Sequence, residues 1–251
     1  MINFFRKIRH NLADNNQFLK YSRYAIGEIV LVVIGILIAI QVNNWNIERI
    51  DKNKEVKYLK NILLDLEKDL ASLEYQIEFR EVRKIGDKKL IKQINGTPVD
   101  NVTELTKNVV NSLMAERFTP NNNTYLELSN SGNLSLISND SIKMLLLELE
   151  DLYKRNNFGL EHESFDYQEY ISKPIFKYTN TDQLFPVYTG EKTIEEQEIT
   201  MDNFKALFEN TEYKNGLFII GLVSNDMISI YKEIATKSEE IIELINEDLK
   251  K

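Results

Sequence analysis

The chain has 251 residues, 43% of them apolar, with nine Gly, four Pro and a formal net charge of −8; this composition belongs to a folded protein and excludes a low-complexity one. It holds no cysteine, which removes thiol catalysis, disulfide frameworks and thiolate metal sites. The acidic balance argues against nucleic acid as a partner, because binding a phosphate backbone needs a clustered positive surface.

Positive charge gathers at the start, where Arg6, Lys7, Arg9, Lys20 and Arg23 stand against Asp14 alone. Phe4, Phe5, Ile8 and Leu12 recur at helical spacing among them. Residues 2–12 therefore predict either a short amphipathic helix on a membrane surface or a basic tail that only sets topology.

The stretch YAIGEIVLVVIGILIAIQVNNWN follows at residues 24–46. Between Ala25 and Val42 only Glu28 and Gln41 are strongly polar. As a helix, these eighteen residues cover roughly 27 Å, close to a bilayer core of about 30 Å. A secretory signal has a shorter apolar core and a small-residue cleavage site, so the stretch reads as an uncleaved anchor. Tyr21 and Tyr24 at one end and Trp45 at the other suit the two interfaces. With Arg6, Lys7, Arg9, Lys20 and Arg23 they form the expected membrane-interface set, and the positive-inside rule keeps the N-terminus in the cytoplasm. The expected division is a cytoplasmic tip (1–23), a transmembrane helix (24–45) and an exported domain (46–251).

Along the span, Ala25, Glu28, Val32, Gly35, Ala39, Val42 and Asn46 share one stripe, whose small residues allow another helix to approach closely. An acid inside a bilayer is costly and tends to face protein, water or a partner charge. Glu28 has three readings: it reaches the interface and pairs with Arg23 or Lys20, it contacts a second copy, or it couples protons.

Beyond the membrane, Val56, Leu59, Leu63, Leu66, Leu70, Leu73 and Ile77 alternate at spacings of three and four, with Glu55, Lys60, Glu67, Lys68 and Asp69 expected on the other faces. No Gly or Pro interrupts residues 36–85, so a helix can run from the span into the domain. The pattern fits a coiled-coil seam between copies or one helix of an intramolecular bundle, since Tyr58 and Ile62 broaden the stripe.

Asn95-Gly96-Thr97-Pro98 predicts the end of this helix. A short helix over 103–114 and a loop at 119–123 are expected next. In TYLELSNSGNLSLISND, Asn130-Ser131-Gly132 is a helix stop and Asn139 or Asp140 caps a helix reaching about Asn156. Residues 161–172 continue in helical style, and PIFKYTNTDQLFPVYTG (174–190) predicts the longest irregular stretch. Its Phe176, Tyr178, Phe185 and Tyr188, with nearby Phe165, serve either as a partner-binding loop or as a plug on a bundle end. A last helix starts after Glu209-Asn210, with Ile219, Val223, Ile230, Ile234, Ile241 and Leu244 on one stripe and GLFIIGLV (216–223) as its most buried part.

Catalytic constellations are missing from the sequence. There is no G-x-S-x-G, Walker A loop, G-x-G-x-x-G or H-E-x-x-H pattern. His162, flanked by Glu161 and Glu163, has no second histidine nearby and reads as a solvated side chain. The expectation is a non-enzyme with no catalytic, cofactor or metal residues.

The opening FFRKIRHNL, the span and TYLELSNSGNLSLISND resemble a family of single-pass membrane proteins of Bacteroidota, catalogued only as a domain of unknown function. That resemblance implies an inner-membrane protein with a helical periplasmic part and supplies no activity. The expected fold is all-α: one N-terminal transmembrane helix continuing into a helical bundle with long first and last helices. The expected partners are membrane lipid, further copies of the chain and another membrane or envelope protein. The expected role is a scaffold or interaction module whose self-association uses Glu28, Val32, Gly35, Ala39, Val42, Val56, Leu59, Leu63, Leu66 and Leu70. A ligand sensor that relays to a membrane partner is the alternative, and a proton-coupled subunit of a membrane complex a remote third.

Overall fold

The computed structural model describes residues 18–250, with side chains from residue 22 onward. The expected amphipathic tip at 2–12 lies outside the described residues, as do Arg6, Lys7 and Arg9. Every regular element described is helical. The first, α1, runs from Phe18 to Ile94, 77 residues. It stops where the sequence places a breaker, with Gly96 at φ +102, a backbone angle that costs glycine least.

Among the described residues seven α-helices follow: α2 (Val102–Ser112), α3 (Asn123–Asn130), α4 (Asp140–Tyr167), α5 (Lys173–Tyr178), α6 (Thr181–Thr189), α7 (Asp202–Phe208) and α8 (Thr211–Asp248), with a 3-10 turn at Asn133–Leu136 and a π-turn at Gln168–Ser172. An asparagine precedes five of these α-helices, and at three its side chain caps the start. Asn101 accepts from Glu104 N, Asn139 from Ser141 N and Ile142 N, and Asn210 from Tyr213 N, each satisfying helix-start donors that have no partner within the helix.

The described residues fall into two compact units that divide between Lys57 and Tyr58. In the first, α1 holds a stretch long and apolar enough to cross a membrane, and none of it is buried within the chain. In the second, α4 and α8 are antiparallel neighbours: Glu148 meets Lys237, Arg155 meets Glu233, and Tyr170 lies against Gly216.

The interior of this domain has two apolar cores. One gathers Leu59, Ile62, Leu66 and Leu73 with Phe118, Tyr153 and Tyr231. The other gathers Leu90, Val109, Ile175, Phe204, Tyr213 and Leu217.

Several expectations need correction. The inward line of α1 is Leu59, Ile62, Leu66, Asp69, Leu73 and Gln76, all buried, whereas Leu63, Leu70 and Ile77 are only half-buried. Alternate seam positions thus slip by one residue, because Asp69 finds polar partners inside while Leu70 was chosen on hydrophobicity alone.

The 174–190 stretch contains α5 and α6 rather than a long loop. Pro174 sits at the first turn of α5, where its missing N–H costs little. Tyr178, Phe185 and Tyr188 pack against the second core, but Phe176 and Phe165 are exposed. The helix expected to stop near Asn156 runs unbroken to Tyr167 and through a π-turn at Gln168–Ser172. In GLFIIGLV only Gly216, Leu217 and Ile220 are buried, and Phe218, Ile219 and Leu222 face out. The inward line of α8 passes instead through Ser224, Met227, Tyr231 and Ser238.

Candidate functional site

Extending the inward line of α1 toward its C-terminal end leads to charge. Arg80, Arg83 and Asp87 are each at most 3% exposed. They lie along α1 between the Leu73 and Leu90 layers that belong to the two cores. From α4, Glu163 meets both arginines. Arg80 Nη1 and Nη2 donate to its Oε1 and Oε2 at 2.7 and 2.6 Å, and Arg83 Nη2 donates to Oε1 at 3.1 Å. The first pair is a two-pronged contact, the geometry that suits a planar guanidinium and a carboxylate.

The surrounding groups complete the cluster. Arg80 Nη2 donates to Tyr231 Oη at 3.4 Å, and the guanidinium lies 5.4 Å from the centre of that ring. Arg83 donates to Ser224 Oγ on α8 and to Met114 O in the segment after α2. Its Nε is 4.0 Å from Asp87 Oδ2. Both Arg83 Nε and Asp87 Oδ1 lack a hydrogen-bond partner among the described residues.

Burial alone would raise the Glu163 carboxyl, but the guanidiniums of Arg80 and Arg83 outweigh it and hold the group below the usual carboxylate range. Asp87 goes the other way. Burial pushes its carboxyl up to about 7, and the more distant Arg83 offsets this only in part. Glu163 is therefore a weak base and Asp87 a group that changes charge near neutrality.

The segment 113–117 lies over this cluster. Tyr167 Oη donates to Leu113 O, and Arg117 donates to Ser164 Oγ at 2.9 Å. Beneath it a crevice lined by Arg83, Glu163, Ser164 and Tyr167 leaves about 20 Å³, enough for the centre of one water molecule. The cluster fixes α1, α4 and α8 to one another.

A second polar cluster pins the segment that opens TYLELSNSGNLSLISND. Asp69 accepts from Asn121 N and Nδ2 at 2.9 and 2.8 Å and from Tyr153 Oη at 2.7 Å. Asp65 accepts from Thr124 Oγ1 and Glu150 from Asn122 Nδ2. Further along, Leu128 and Ile137 are fully buried and Gly132 takes φ +72. The motif is the chain's way of holding α3 and the start of α4 onto α1.

The residues expected at a contact between copies fall into two groups. Leu59 and Leu66 are consumed by the domain's own core, and Leu63 packs against it; Val56 and Leu70 are half-buried. In the span, Val32, Gly35, Ala39 and Val42 are exposed and Glu28 is half-buried. Tyr24 and Trp45 are exposed, as is Arg23, while the side chains of Lys20 and Tyr21 lie outside the described residues. His162 is exposed, its ring edge-on to Phe158 at 4.6 Å.

A family of unknown function, DUF6090, matches residues 28–208. The chain belongs to DUF6090. The match takes in Arg80, Arg83, Glu163 and the motif pinned by Asp65 and Asp69, and it ends before α8, which supplies Ser224 and Tyr231 to the DUF6090 domain's ionic cluster. No curated protein and no solved structure matches the chain.

Proposed function

We propose that the chain is a single-pass protein of the plasma membrane, its basic tip in the cytoplasm and its helical domain in the periplasm, acting as a self-associating scaffold or interaction module. One observation carries the reading. The apolar stretch of α1 is unburied within the chain, whereas the leucines of the 56–77 seam are largely spent on the domain's own core. Self-association therefore runs through the span, and the domain stays free to meet another envelope protein. Isolating one tagged copy from native membranes tests this. Recovery of a second, differently tagged copy supports it, and recovery of the first tag alone contradicts it.

A sensor is the second reading, favoured by the charged layer between the two cores. A ligand or proton that changes the charge of this layer changes the bonds by which Glu163, Arg80, Arg83 and Ser224 hold α1, α4 and α8 together. Thermal unfolding of the full chain with envelope extract tests this reading. A sensor is stabilised by a component of that extract.

A further inference from the structure

We propose that copies of the chain meet along a single face of α1, residues 26–50, in a parallel bundle of three or more helices. This rests on the self-association proposed above and names its surface. Positions 26, 29, 33, 36, 40, 43, 47 and 50 alternate at spacings of three and four and hold six isoleucines, one valine and Asn43. This is a heptad seam, the repeat that keeps one helix face against its neighbours. Isoleucine at both core positions favours three or four strands over two.

Inside hydrocarbon an isoleucine needs no cover, so the argument rests on where the seam goes next. Gln41, Asn43, Asn44 and Asn46 mark the end of the apolar run, yet the seam keeps its register beyond them with Ile47 and Ile50. These are 48% and 43% exposed, in a part of the helix that water reaches, where burial is favourable.

The occupant follows from the anchoring. Copies held by the same span leave the membrane at the same height and in the same direction, so each seam residue meets its own counterpart. Asn43 then meets Asn43, the arrangement by which one buried polar residue fixes register. Beside the seam, Asp51 of one copy approaches Asn46 of the next, so like charges do not meet there. At 54 and 57 the seam positions become lysine, and facing lysines repel. The contact ends at that point, just before the domain unit begins at Tyr58.

This face is about 100° around the helix from the Ala25–Gly35–Ala39 stripe, at 3.6 residues per turn, so the two are separable by disulfide scanning. Single cysteines are placed in turn from 26 to 50 in the full chain, which has none of its own, and native membranes are oxidised. The expected result is several-fold higher yields at Ile36, Ile40, Ile47 and Ile50 than at Gly35 and Ala39. Maxima at Gly35 and Ala39 overturn this face and leave self-association standing; uniformly low yields overturn both. As an independent check, Ile47→Asp with Ile50→Asp lies outside hydrocarbon and leaves insertion intact. Disulfides at Ile36 should then fall several-fold, and an unchanged yield contradicts the seam.

Discussion

Glu163 on α4 accepts hydrogen bonds from both Arg80 and Arg83 on α1, a buried carboxylate shared between two guanidiniums. Removing it strands two buried cations. Glu163→Gln is expected to cost about 3–5 kcal/mol, the range for breaking a buried ion pair. Denaturant unfolding of the full chain in micelles measures it, and a loss below about 1 kcal/mol would mean that water solvates the arginines. Because the Glu163 carboxyl is held below its ordinary range, its contribution is present at neutral pH and is lost as pH falls through the lowered folded value.

Asp87 predicts the opposite pH dependence. Its folded carboxyl, pushed up to about 7, binds a proton more tightly than the same group in the unfolded chain, near 3.9. Stability from this group therefore falls as pH rises from about 4 to about 7 and stays low above that. Asp87→Asn should stabilise the protein at pH 8, by at most about 4 kcal/mol, with the advantage shrinking toward pH 5. Melting curves of both proteins across that range check the sign.

Two glycines in close helix contacts should differ in tolerance. A methyl group on Gly216 would lie 2.5 Å from Tyr170 Cβ and 2.7 Å from its carbonyl oxygen, whereas on Gly159 it would meet the Met227 sulfur at 2.6 Å. Backbone cannot step aside as a thioether can. Gly216→Ala is expected to cost about 1–3 kcal/mol as overpacking, and Gly159→Ala less than about 1 kcal/mol. Equal losses would contradict the close approach at the π-turn.

Tyr153→Phe removes one donor from Asp69, which keeps its two bonds from Asn121. The expected loss is about 1–3 kcal/mol. Hydrogen exchange should quicken at Asn121 and through α3, since that segment is held largely by side-chain bonds; unchanged exchange there would show that packing alone holds it.

The end of α1 at 95–98 and the helix starts after Asn139 and Asn210 were legible because breakers and caps are local. The ionic cluster was not, because Arg80, Arg83, Asp87 and Glu163 look like surface residues when burial is inferred from hydrophobicity. A usable signal was nevertheless present. Counting by sevens from Leu59 passes Leu66 and Leu73 to Arg80 and Asp87; from Ile62 it passes Asp69, Gln76 and Arg83 to Leu90. The period continued after the apolar residues stopped. The 174–190 helices were hidden for a related reason, since Pro174 and Pro186 suggested irregular chain, yet Pro174 stands where a helix tolerates it and α6 is only nine residues long.

Counting copies tests the central claim of a self-associating anchor most directly. The full chain, labelled once outside the membrane and captured from native bilayers as single particles, should bleach in several discrete steps, three or more in the bundle proposed here. Predominantly one-step bleaching, at high labelling efficiency, would contradict it.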